Sequence, residues 1–95
     1  MHLQHERPVC LKYSKQLRCV LVGWDTGRVD LIDPNTKARV RMMEMKERSP
    51  VTALSVVLLK TPSQKKHCVV TAGSRSGALT IWKVSLHAST CDVPA

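Results

Sequence analysis

Apolar residues in this chain fall in short runs separated by small and charged positions. Val69-Val70 leads into a turn holding Gly73 and Gly77, and a second apolar run closes on Ile81-Trp82. Two strand-length runs divided by one turn of small residues predict a β-hairpin over Val69–Lys83. Fifty positions earlier, Cys19–Asp33 repeats the pattern without a gap. Gly23 falls under Gly73, Gly27 under Gly77, Val29 under Leu79, Leu31 under Ile81 and Ile32 under Trp82. An internal repeat of this kind means one supersecondary unit used twice, and it constrains the fold more than local propensity does.

The remaining pattern fits around the two hairpins. Val9, Leu11 and Tyr13 alternate with Cys10 and Lys12, which predicts a half-buried strand ending at the polar turn Ser14-Lys15-Gln16. Leu17–Val22 and Arg28–Ile32 form the hairpin strands, and Asp33-Pro34-Asn35-Thr36 is strong turn chemistry. Lys37–Met42 alternates basic and apolar, giving four strands in about 35 residues, the size of one propeller blade. Pro50-Val51 opens the second unit as Pro8-Val9 opens the first, at a spacing of 42. Its strands are expected at Val51–Val57 and Cys68–Ala72, with Leu59–His67 a solvated loop carrying an insertion of about eight residues. Val84-Ser85-Leu86-His87 offers a start for a fourth strand, and the last residues read as a tail. Met42–Lys46 favours helix by composition but is too short to hold one, so it reads as the connection between units. The chain thus divides into a first blade over 5–43, a second over 44–86 and a tail over 87–95.

Composition narrows the class. Ninety-five residues make one small domain with a modest core, and 43% hydrophobic content argues against wholesale disorder. Phe is absent, so Val, Leu, Ile and Met must build that core. No apolar run approaches the ~18 residues of a membrane span, and the polar start M-H-L-Q-H-E-R-P has no apolar leader segment. An intracellular, cytoplasmic protein is expected, with the nucleus left open. Cys10, Cys19, Cys68 and Cys91 lack metal-ligand spacing and read as free thiols on strands. The net charge of +8 points to an acidic partner without specifying its class.

These residues resemble WD-repeat β-propeller units. The family's unit has four antiparallel strands, a His just before the first strand, a small-residue turn ending in Asp-Gly, and Trp-Asp closing the third strand. T-A-G-S-R-S-G-A-L-T-I-W-K is a good match and V-G-W-D-T-G-R-V-D-L-I-D a fair one, and together the units cover roughly residues 5 to 84. The departures weaken the family's His–Ser–Asp–Trp hydrogen-bond network. His5 is in place, but Glu47 stands there in the second unit. Thr26 and Ser76 replace the Asp before glycine, and Val22 and Ala72 replace the serine. Ile32-Asp33 lacks the Trp, and Trp82-Lys83 lacks the Asp. Losing such a network as a set strands no buried donor, so the blades are degenerate rather than broken. The resemblance implies an all-β fold of two four-stranded antiparallel blades whose ring is not closed, since propellers typically have 4–8 blades. The remaining blades, or another copy of the chain, would have to complete it.

No catalytic motif is present: neither G-x-S-x-G, nor H-E-x-x-H, nor a phosphate loop. The expectation is a non-enzyme with no cofactor and no metal site, acting as a protein-interaction scaffold. Trp24 is the leading contact candidate, with two open readings: an interface anchor, or a cover over a neighbouring blade. By the resemblance, Trp24, Arg48 and Arg75 share a partner-binding face, with Arg28 near its edge. Lys37, Arg39 and Arg41 alternate as a basic stripe, read chiefly as charge protecting an outer strand from edge pairing. The competing class is a basic module for nucleic acid or acidic lipid, which the scarcity of aromatics for base stacking disfavours. A product without independent function is the third reading.

Overall fold

The computed structural model describes residues 5–60 and 66–85, and these are all-β, with no helix. Seven strands form two antiparallel sheets. The N-terminal sheet holds β1 (Pro8–Ser14), β2 (Cys19–Trp24), β3 (Arg28–Ile32) and β4 (Arg39–Glu44) in that order. The C-terminal sheet holds β5 (Val51–Lys60), β6 (Lys66–Ser74) and β7 (Leu79–Ser85). No barrel closes. The sequence pattern led to two four-stranded blades, and the described residues give four strands and three. The expected fourth strand of the second unit runs into residues 86 and 87, which lie outside the described residues.

The repeat is present at the level of individual strand pairs. In the first hairpin Val20 faces Ile32, Leu21 faces Leu31, Val22 faces Asp30 and Gly23 faces Val29. In the second, Val70 faces Trp82, Thr71 faces Ile81, Ala72 faces Thr80 and Gly73 faces Leu79. Every pair is displaced by 50 residues. Gly27 and Gly77 take equivalent turn positions, with φ of 89° and 93° that only glycine adopts without strain. The first strands also correspond, including a bulge: Pro8/Cys10 against Trp24/Gly23 matches Val51/Ala53 against Ser74/Gly73. That offset is 43, one more than the Pro-Val pairs suggest, so Pro8 is the counterpart of Val51.

Strand alternation then assigns faces. Cys10, Cys19, Leu21, Gly23, Val29, Leu31 and Met43 lie on the inner face of the N-terminal sheet, with β5 packed across β1 and β2. Leu54, Val56, Cys68, Val70, Ala72, Trp82 and Val84 form the opposing inner face. Together with Leu17, Met45 and Val51 these residues are the core. The approach is closest at Gly23, where an added Cβ would stand 2.7 Å from Val51 Cγ1. The Cys10 thiol donates to Val51 O at 3.2 Å, tying the sheets at the same place.

Several boundaries differ from the sequence reading, each for a local reason. Leu59 and His67 are not loop residues: β5 and β6 stay paired out to Lys60 and Lys66, leaving 61–65 outside the described residues. Val84 and Ser85 extend β7 against Cys68 and His67 instead of opening a new strand. Met42, Met43 and Glu44 belong to β4, where Met43 pairs with Val29, and only the residues beyond Glu44 connect the sheets. The basic stripe is broken. Lys37 sits in the turn with φ of 63°, and a bulge in β4 pairs Arg39 with Ile32 but Arg41 with Leu31, so the two arginines occupy opposite faces. β4 is the sheet's outer strand, as the charge pattern implied. Cys10 and Cys68 are free thiols, whereas Cys19 is disulfide-bonded rather than free. Cys91 lies outside the described residues.

Candidate functional site

The two tight turns and the chain between the sheets meet at one end of the molecule. In the β2–β3 turn, the Gly27 amide donates to Trp24 O at 3.2 Å and the Gly27 carbonyl accepts from the Met45 amide at 2.9 Å. A Cβ on Gly27 would lie 2.6 Å from Glu47 O, so glycine is required there by space as well as by φ. From the other side, the β6–β7 turn clasps the same connection. The Arg75 amide donates to Pro50 O at 2.9 Å, and the Ser76 amide donates to Ser49 Oγ at 3.1 Å. Residues 47–50 therefore lie between the two turns.

Each turn is also held by a carboxylate from the segment preceding its first strand. Thr26 Oγ1 donates to Glu6 Oε2 at 2.8 Å, and Ser76 Oγ donates to Glu47 Oε1 at 2.6 Å. Thr26 and Ser76 are equivalent by the 50-residue repeat, so the hydroxyl position repeats, whereas the carboxylates stand at different places, Glu6 two residues before Pro8 and Glu47 four before Val51. Ser76 spends its only proton on Glu47, so the 2.9 Å contact between Ser74 Oγ and Ser76 Oγ has Ser74 donating. Ser74 accepts in turn from the Ala78 amide at 3.2 Å. Sequence reasoning recorded a missing Asp in both turns and missed its replacement. The signal was available: where the acid leaves the turn, one stands in the preceding segment and a hydroxyl takes its place.

Around Trp24 the arrangement is charged and half-buried. Its indole Nε1 donates to Asp30 Oδ2 at 3.0 Å, and the Arg28 guanidinium stands 5.0 Å from its ring centroid. Arg28 bridges two carboxylates, Glu6 Oε1 at 2.7 Å and Asp30 Oδ2 at 3.2 Å. Asp30 is 3% exposed, and its Oδ1 accepts no hydrogen bond; Arg39 Nη1 lies 3.9 Å away. Asp30 was not singled out by its sequence pattern, since an acid in a strand ordinarily points to water.

The structure therefore splits the four candidate residues into pairs. Trp24 and Arg28 are brought together and committed to each other, to Asp30 and to Glu6. Arg48 and Arg75 are exposed on the connection and the second turn, and their side chains make no ion pair with any described residue. Burial raises the Cys68 thiol above its ordinary range. It raises Cys10 too, against an opposing hydrogen bond from the Gly23 backbone. Both therefore stay protonated near neutrality and are poor nucleophiles. Among the described residues no group of His, Cys, Asp and Glu is placed to hold a metal, and no helix is long and apolar enough to cross a membrane. No protein-family model matches the chain, and a search of curated proteins returns no match.

Proposed function

We propose that the chain is a non-catalytic protein-interaction module, a pair of WD-repeat-like blades contributing to a larger propeller surface. Its contact end is the one where both tight turns meet residues 47–50. One observation carries this reading: the unit repeats in strand register, bulge and turn hydroxyl, which sets the two loops side by side. Arg48 and Arg75 supply charge there that no described residue pairs with, and Trp24 with Arg28 flanks the first turn. An acidic peptide segment of a protein partner suits this end. The overall charge of +8 favours a second reading, a polyanion-binding module.

Titrating the full chain with an acidic peptide and with duplex DNA at two ionic strengths separates the two. Duplex binding is expected to be weak and to collapse as salt rises, because it rests on counterion release alone. Peptide binding is expected to weaken several-fold in the double variant Arg48→Ala, Arg75→Ala. Tight, salt-resistant duplex binding would instead select the polyanion reading.

A further inference from the structure

The outer faces of both sheets carry apolar residues that nothing in the described structure covers. On the C-terminal sheet, Leu79 is 68% exposed and Ile81 62%, beside Val57 and Leu59. On the N-terminal sheet, Leu11 is 68% exposed and Tyr13 56%, beside the half-buried Val20 and Ile32. The repeat identifies what each face is built to meet. Val69, Thr71, Gly73, Leu79 and Ile81, on the outer face of the C-terminal sheet, are the counterparts of Cys19, Leu21, Gly23, Val29 and Leu31. Those five form the inner face of the N-terminal sheet, which the C-terminal sheet covers. Conversely Leu11, Tyr13, Val20, Val22 and Ile32, on the outer face of the N-terminal sheet, are the counterparts of Leu54, Val56, Val70, Ala72 and Trp82. Those five are the surface that does the covering.

The interface inside the chain is thus head-to-tail, and the described residues leave one further copy of either half without a partner sheet, with Val22 alone among these side chains already buried. We infer that the outer face of the C-terminal sheet docks the outer face of the N-terminal sheet of a second copy of this chain, repeating the internal interface. This rests on the blade reading above and names what completes the blades. A heterologous contact of this type either closes into a ring or grows into a filament. With two blades per copy and rings of 4–8 blades, closure takes about two to four copies.

One detail fits the second copy specifically. Gly23 is the point where Val51 presses against the N-terminal sheet. Its counterpart Gly73 has no atom nearer than 3.9 Å to an added Cβ, so a side chain there fits the single chain. In the docked copy that space receives Pro8, the counterpart of Val51.

Sedimentation of the full chain tests this with two variants of the C-terminal face, Ile81→Asp and Gly73→Val, and one of the N-terminal face, Leu11→Asp. Ile81 and Leu11 are mostly exposed and Gly73 has room, so the internal core is untouched. The wild type is expected to form discrete, concentration-dependent oligomers. Each variant alone should be a monomer, and either C-terminal-face variant mixed with Leu11→Asp should recover a 1:1 complex through the intact pair of faces. Association of any variant alone, or no complex on mixing, overturns the inference. So does a wild type that stays monomeric at every concentration. In that case protection of the 20–23 amides against hydrogen exchange would leave the blade reading standing, and loss of it would overturn both.

Discussion

Asp30 is the most deeply buried charged residue among the described residues. A carboxylate 3% exposed, with one oxygen lacking a hydrogen bond, persists because the Arg28 guanidinium and the Trp24 indole both engage the other oxygen. Breaking a buried pair leaves an uncompensated charge, which costs more than the pair ever contributed. Arg28→Ala is therefore expected to destabilise the N-terminal sheet by about 2–3 kcal/mol, less than the roughly 3–5 kcal/mol of a fully buried pair because Arg28 keeps some exposure. Read as hydrogen exchange, the amides of residues 29–31 should exchange about 30- to 140-fold faster. The repeat suggests the remedy: the second unit carries Thr80 where the first carries Asp30. Arg28→Ala combined with Asp30→Thr should recover most of the loss, and a double variant as labile as Arg28→Ala alone would show that Asp30 is not the stranded charge. None of this was legible in the sequence, where Arg28 stood out as a partner-facing cation. Asp30 alternates with Val29 and Leu31 as an outward acid should, and only the turn geometry folds Trp24 and Arg28 over it.

At the scale of elements, the hairpins were legible because glycine spacing and apolar alternation agreed, and the register followed from the 50-residue offset. What escaped was governed by pairing across the sheet. Leu59 and His67 look like loop residues beside Pro62 and a lysine pair, yet each has a partner strand to bond with, which outweighs their surroundings. The bulge in β4 likewise depends on how Arg39 and Arg41 meet β3, and no alternation rule anticipates it. The two turns, alike in sequence, differ in what stands beside them. Gly27 and Gly77 share a positive φ, so alanine at either carries about 1–2 kcal/mol of backbone strain. Gly27 alone also abuts Glu47 O, whereas a Cβ on Gly77 meets nothing within 4 Å. Gly27→Ala should cost clearly more than Gly77→Ala and should shift the amide resonances of residues 47–49, which Gly77→Ala leaves in place. Equal costs and no shift would mean that the connection does not rest against the first turn.

For the whole molecule, the balance between one buried interface and two bare faces decides whether the chain is ordered alone. The inner faces bury their apolar residues between the sheets. The outer faces leave Leu11, Tyr13, Val57, Leu59, Leu79 and Ile81 to water. At ~25 cal/mol per Å² of apolar surface, a few hundred Å² left bare forgoes several kcal/mol. A domain of this size has a total margin of only about 5–10 kcal/mol, so the deficit is comparable with the stability itself. Association that covers those faces binds the folded state and not the unfolded one, and by mass action it raises the apparent stability with concentration. Thermal unfolding of the full chain should accordingly be broad and weakly cooperative at the lowest concentrations, sharpening and moving to higher temperature as concentration rises. Scans over a hundredfold range of concentration, followed by circular dichroism at the β-sheet minimum, would trace that shift. A sharp two-state transition at the same temperature throughout, from a chain that sediments as a monomer, would mean that the single interface suffices. The reading of these sheets as blades awaiting neighbours would then have to be abandoned, however closely their registers repeat.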